Sequence, residues 1–205
     1  MIFLVGSLTS SANTPDYTAA DHVWTMWAHD NQAKSRISAF ALLLAAFIFL
    51  YFIAGVRRVL EASESRVQGS VQLAQVAYAG ALTGVVGMSM AFVTIANASF
   101  EGAEANPVAS RAVLTASSGP FLVAAMGFAA FLTTVGVLTL RSGGFARWTA
   151  IVALIGAVSF LTTSVTVINN KGNGSVFGYA FFPAILSLVT WTIATSVATY
   201  RAAST

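Results

Sequence analysis

Residues 37–56 read ISAFALLLAAFIFLYFIAGV, twenty positions without a charge, closed by Arg57-Arg58. At about 1.5 Å of rise per residue such a run spans about 30 Å, the thickness of a bilayer's hydrocarbon core. Four further apolar runs follow, at about 71–97, 112–140, 148–168 and 177–200. Period-2 alternation of barrel strands is absent. An open strand would leave unpaired backbone groups in lipid, so all five runs are expected to be helices. The expected fold is all-α: an antiparallel bundle of five transmembrane helices over residues 37–205, preceded by an extracytoplasmic segment over residues 1–36.

Composition agrees. Hydrophobic residues make up 57% of the chain and charged residues 8%, whereas a soluble domain carries about 25% charged residues. Ten Lys and Arg stand against seven Asp and Glu. These positive charges are scattered, so they do not form a nucleic-acid footprint, and no nucleic-acid partner is expected. The chain has no cysteine, which excludes disulfides, thiolate catalysis and cysteine-based metal sites.

The connections are short. EASESRVQGS (61–70) is polar, SFEGAEANPVASR (99–111) carries two glutamates and Pro107, RSGGFAR (141–147) is a tight glycine turn, and NNKGNGSV (169–176) is rich in turn residues. Brief connections make successive helices antiparallel neighbours. Arg57, Arg58, Arg66, Arg141, Arg147 and Arg201 then fall on one side. Lys34, Arg36, Arg111 and Lys171 fall on the other, with most of the acids. The richer side is read as cytoplasmic, which puts the C-terminus inside and residues 1–36 outside.

The N-terminal segment opens with MIFLVGSL, apolar but too short to cross a bilayer and without a basic region or cleavage site. It reads as the outer end of a further, sixth helix; the alternative is a segment lying in the interface. Thr14-Pro15-Asp16 then looks like a helix start. A helix over about 15–31 would gather Tyr17, Ala20, Trp24 and Trp27 on one stripe, either on the outer membrane surface or across the ends of the bundle. Trp24, Trp27, Trp148 and Tyr200 are accordingly read as interfacial anchors.

The chemistry sought in the spans is mostly missing. None carries Asp, Glu, Lys, Arg or His at mid-depth. Ion-coupled carriers and pumps need such groups, and a retinal protein needs a mid-helix lysine. His22 and His29 are two helical turns apart, about 10 Å, too far to share one metal. No catalytic residue, metal ligand or cofactor site is assigned. The many in-span hydroxyls, such as Thr134, Thr162, Thr163, Thr192 and Thr195, read as packing devices rather than as a polar pathway. Small residues recur at four-residue spacing in Gly80 and Gly84, Ala41 and Ala45, Ala125 and Ala129, and Ala153 and Ala157; these are the candidates for close helix contact. Gly119-Pro120 is expected to kink the third span or to end an outer turn before it.

Three stretches carry a family resemblance: FLVGSL with ADHVWTMWAHDNQAKSR and FLYFIAGVRRVL, then RSGGFARW, and finally LVTWTIATSVATYR. In these the chain resembles uncharacterised small multi-pass membrane proteins best represented in actinobacteria. The resemblance implies a bacterial plasma membrane and a further helix before the outer segment, and it implies no activity. The functional expectation is a non-enzymatic structural or accessory subunit that packs against other membrane protein subunits in the lipid bilayer. The alternative is a small carrier or binder of an apolar ligand, such as a bound lipid.

Overall fold

The computed structural model describes residue 15 and residues 19–67, 72–98, 106–165 and 179–203. The regular elements among them are all helices: α1 Asp21–Asp30, α2 Gln32–Glu64, α3 Leu73–Ala98, α4 Pro107–Ala116, α5 Ser118–Ser142, α6 Arg147–Ser164 and α7 Phe181–Ala203. The fold is an all-α bundle.

Five helical stretches are long and apolar enough to cross a membrane: Gln32–Glu64, Leu73–Ala98, Val108–Ser142, Arg147–Ser164 and Phe181–Tyr200. Their outward faces carry Val86, Ile151, Val158 and Leu186, all exposed. Water would penalise each such side chain by about 1.5–3 kcal/mol relative to burial, so lipid is the solvent of these faces. The chain is a multi-pass membrane protein.

Helix ends depart from the sequence reading in four places, each with a local cause. The N-terminal helix α1 begins at Asp21, not Pro15, with extended Ala20 at its N-cap and Asp21 as the acid of its first turn. It stops at Asn31, whose side-chain amide donates to the Trp27 carbonyl at 2.9 Å, and α2 starts on the next residue. Second, α2 runs for 33 residues and does not end at the paired arginines. Arg57 bonds Glu61 one turn on at 2.7 Å, so the polar stretch after the span continues as helix.

Third, the span expected at 112–140 is two helices that meet at Ser117. Pro120 has no N–H to offer the Ala116 carbonyl, so the helical ladder fails there. The Ser117 hydroxyl covers the Leu114 carbonyl at 2.6 Å and the Ser118 hydroxyl that of Thr115 at 2.7 Å. The first of these helices also starts earlier than expected: Asn106 caps it by accepting from the Ala109 amide at 3.1 Å, with Pro107 in the first turn. Fourth, α7 begins at Phe181, so Pro183 lies in its first turn, where a missing N–H is harmless. Residues 71, 166–168 and 177–178, which the expected spans include, lie outside the described residues, as do Met1–Leu8.

Side-chain pairings fix the directions. Along α3 and α5, Gly80 faces Gly127 and Phe131 while Gly87 faces Pro120 and Ala124, so the two run antiparallel. On α5 and α6, Gly136 meets Leu154 while Gly156 meets Leu132, again antiparallel. Phe121 pairs with Phe181 and Phe131 with Trp191, so α5 and α7 run parallel. Thus α2, α5 and α7 point one way and α3 and α6 the other, as short connections require. The helix at the centre is α5, with Phe128, Phe131, Leu132, Val135 and Leu138 all buried.

Candidate functional site

The backbones of α3 and α5 approach closely along a glycine seam. A Cβ on Gly80 would stand 2.8 Å from the Gly127 carbonyl oxygen and 2.8 Å from the Phe131 nitrogen. One on Gly84 would enter the Phe128 ring at 2.6 Å, and one on Gly87 would lie 2.7 Å from the Ala124 nitrogen. A Cβ on Gly127 would collide with the Gly84 amide nitrogen. With no side chains between them, the two backbones come close enough for dispersion to act over the whole crossing, which is what drives association where lipid removes the hydrophobic effect.

Gly80 and Gly84 thus lie in a seam, as their spacing suggests. Ala125, Ala129, Ala153 and Ala157 are buried, while Ala41 and Ala45 are half-buried. The spacing rule misses Gly127, because no small residue sits four positions away from it on either side (Val123 and Phe131). It also misses Gly136 and Gly156, each of which receives a leucine of the facing helix, Leu154 and Leu132.

Beside the seam the interior is filled by rings. Phe49 of α2 stands edge-on to Phe128 and Phe131, each at 6.4 Å between centroids. Phe128 packs on Phe160 of α6 at 5.4 Å. Trp191 of α7 takes Phe131 at 5.2 Å and both Phe52 and Phe145 at 6.1 Å. Edge-to-face pairs of this kind add about 0.5–1.5 kcal/mol each beyond their burial.

Five in-span hydroxyls turn back onto their own helices. Thr134, Thr162, Thr163, Thr192 and Thr195 donate to the carbonyl four residues earlier, at 2.8–2.9 Å. Their donors are spent on backbone, which makes them compact packing groups in lipid.

At one end of the bundle α1 and α4 form a cap. Trp24, Trp27 and Ala28 are buried with Leu114 and Ala98, the two indoles meeting edge-on at 6.5 Å. Asp21 accepts from Arg111 at 2.6 Å across the cap, and the Ser110 hydroxyl reaches the Ala98 carbonyl at 3.3 Å. Of the two placements the sequence leaves open for the outer helix, the described residues take the one across the bundle ends. Trp24 and Trp27 are therefore packed inside the protein, while His22 and His29 are exposed. The other two expected anchors are outward: Trp148 is 52% exposed and Tyr200 76%.

The opposite end is held by carboxylates. Glu64 accepts from the Leu73 amide through one oxygen and from the Ala74 amide at 3.3 Å through the other, capping α3 from the end of α2. Arg57 is clasped between Glu61 and the Tyr78 ring, its guanidinium carbon 5.0 Å from the ring centroid. Gly143, at φ 67°, ends α5 in a left-handed residue. The turn that follows rests on α2, where a Cβ on Gly144 would collide with the Ser63 hydroxyl.

On the side of the bundle a groove of about 580 Å³ lies between Val86, Gly87 and Met90 of α3 and Gly119, Pro120 and Val123 of α5, open laterally and almost wholly apolar. Among the described residues no three of His, Cys, Asp and Glu converge as a metal site would require. No family model, curated protein or solved structure matches the chain.

Proposed function

We propose that the chain is a non-enzymatic membrane protein that serves as a structural or accessory subunit of a larger complex in a bacterial plasma membrane. The observation that carries this reading is the unpartnered face of α2. Only 28% of the most apolar stretch of α2 is buried, against 61% for the span made by α4 and α5. Ile37, Phe40, Leu44, Phe47 and Tyr51 stand exposed along it at alternating spacings of three and four residues. That spacing forms a seam into which a second helix fits at a shallow crossing angle. Spans without acid or base at mid-depth, and hydroxyls spent on their own backbone, suit a packing role better than catalysis or ion transfer. The family resemblance supports the bacterial membrane. The arginine excess supports a cytoplasmic C-terminus.

The test is extraction in a mild detergent followed by mass measurement of the native particle. A stoichiometric complex that dissociates when Phe40, Phe47 and Tyr51 are replaced by alanine is the expected result. A clean monomer from the native membrane sinks the proposal. A reporter fused after Thr205 tests the orientation, which is overturned if the reporter is active outside.

The lateral groove favours a second reading, a binder of an apolar ligand such as a lipid chain. Its size suits an acyl segment, but its open side gives a ligand no enclosure. Co-purification of one lipid species, lost on Val86→Phe and restored in the wild type, would favour it.

A further inference from the structure

At the end of the bundle opposite the tryptophan cap, positive charge has no ion-pair partner among the described residues. Both acids described there are already engaged: Glu61 with Arg57, and Glu64 with the first amides of α3. Arg58, Arg66, Arg141 and Arg147 are exposed, and none forms an ion pair among the described residues. The fold puts them at one end of the bundle. The turn bearing Arg141 and Arg147 is seated on Ser63 of α2 through Gly144, Arg58 lies five residues before Ser63 on the same helix, about 7.5 Å along its axis, and Arg66 follows directly after the end of α2. Trp148, half-exposed at the start of α6, marks the level of the membrane interface beside them. At the tryptophan end Arg111 is neutralised by Asp21, and Lys34 stands exposed on α2.

We infer that Arg58, Arg66, Arg141 and Arg147 form a binding surface for the phosphate headgroups of anionic phospholipids in the adjoining leaflet. Guanidinium groups pair with phosphate oxygens in a forked geometry, and an interface rich in anionic lipid supplies those oxygens at the depth where the arginines emerge. The inference holds whichever leaflet this end faces and does not depend on the accessory-subunit reading.

The experiment places the purified full chain in nanodiscs of phosphatidylcholine with a minor fraction of phosphatidylglycerol. The lipids retained by the protein are then counted by native mass spectrometry. Phosphatidylglycerol is expected to be enriched over its bulk fraction, and each Arg→Gln change to lower its retention roughly five-fold. Arg141→Lys and Arg147→Lys should keep most of it, and Lys34→Gln at the far end should keep all of it. Added inorganic phosphate should not displace it, because the lipid chains anchor the headgroup at the site. Thermal unfolding in pure phosphatidylcholine, unchanged by the Gln variants, separates lost binding from lost fold. Absence of enrichment, retention unaffected by the Gln variants, or an equal loss with Lys34→Gln overturns the proposal. So does displacement by free phosphate, which would assign the surface to a soluble anion.

Discussion

The peptide groups of Gly84 and Gly127 stand against each other, so that a methyl group on Gly127 would fall on the amide nitrogen of Gly84. That contact joins the two most buried spans, and it tolerates no side chain because the obstacle is backbone, which cannot swing aside.

Gly127→Ala is therefore expected to separate α3 from α5 and to lower stability by about 1–3 kcal/mol or more, the usual cost of overpacking. Gly55→Ala provides the contrast. Nothing lies within 4 Å of its Cβ position, and the gain in helix propensity is worth up to about 1 kcal/mol. Denaturation in mixed micelles compares the two. Equal effects would mean that the seam is not a close backbone contact.

Glu64→Ala should loosen the start of α3. Two amides lose a charged acceptor, which corresponds to about 1–2 kcal/mol for a helix cap. Hydrogen exchange at residues 73–76 reads the change directly, and unaltered protection there would remove Glu64 from the capping role.

In the cap, shape is expected to outweigh charge. Asp21 and Arg111 are 40% and 35% exposed at the side chain, and a pair so open to solvent contributes at most about 1 kcal/mol. Trp24 is buried, and truncation of a buried aromatic to alanine costs about 3–5 kcal/mol. Asp21→Asn should leave the cap closed, while Trp24→Ala should release α1. Limited proteolysis near Asn31 distinguishes them, and equal cleavage of both variants would contradict the ranking.

Tryptophan quenching gives a further check. Trp191 is wholly enclosed by Phe52, Phe131 and Phe145, whereas Trp148 faces outward. A protein retaining Trp191 alone should fluoresce with blue-shifted emission and resist both aqueous and lipid-borne quenchers. One retaining Trp148 alone should be quenched by lipids labelled near the headgroup. Ready quenching of Trp191 would mean that the bundle interior is open.

The number of spans, their helical character and their antiparallel order were legible in residues 37–205, because lipid leaves a backbone no alternative to internal hydrogen bonding and about twenty apolar residues suffice to cross it. Gly80 and Gly84 were legible as contact residues for a related reason: small side chains at one-turn spacing admit a neighbour whatever that neighbour is. Which helix comes close was not. Gly127 has no small residue four positions away on its own helix, so the spacing pattern does not mark it and its role appears only in the pairing with α3. Glu64 as a cap for α3, the enclosure of Trp24 and Trp27, and the seating of Gly144 on Ser63 are likewise contacts between different helices or turns. Periodicity records how each helix meets its solvent; only the assembled bundle decides which residues of different helices fill the same space.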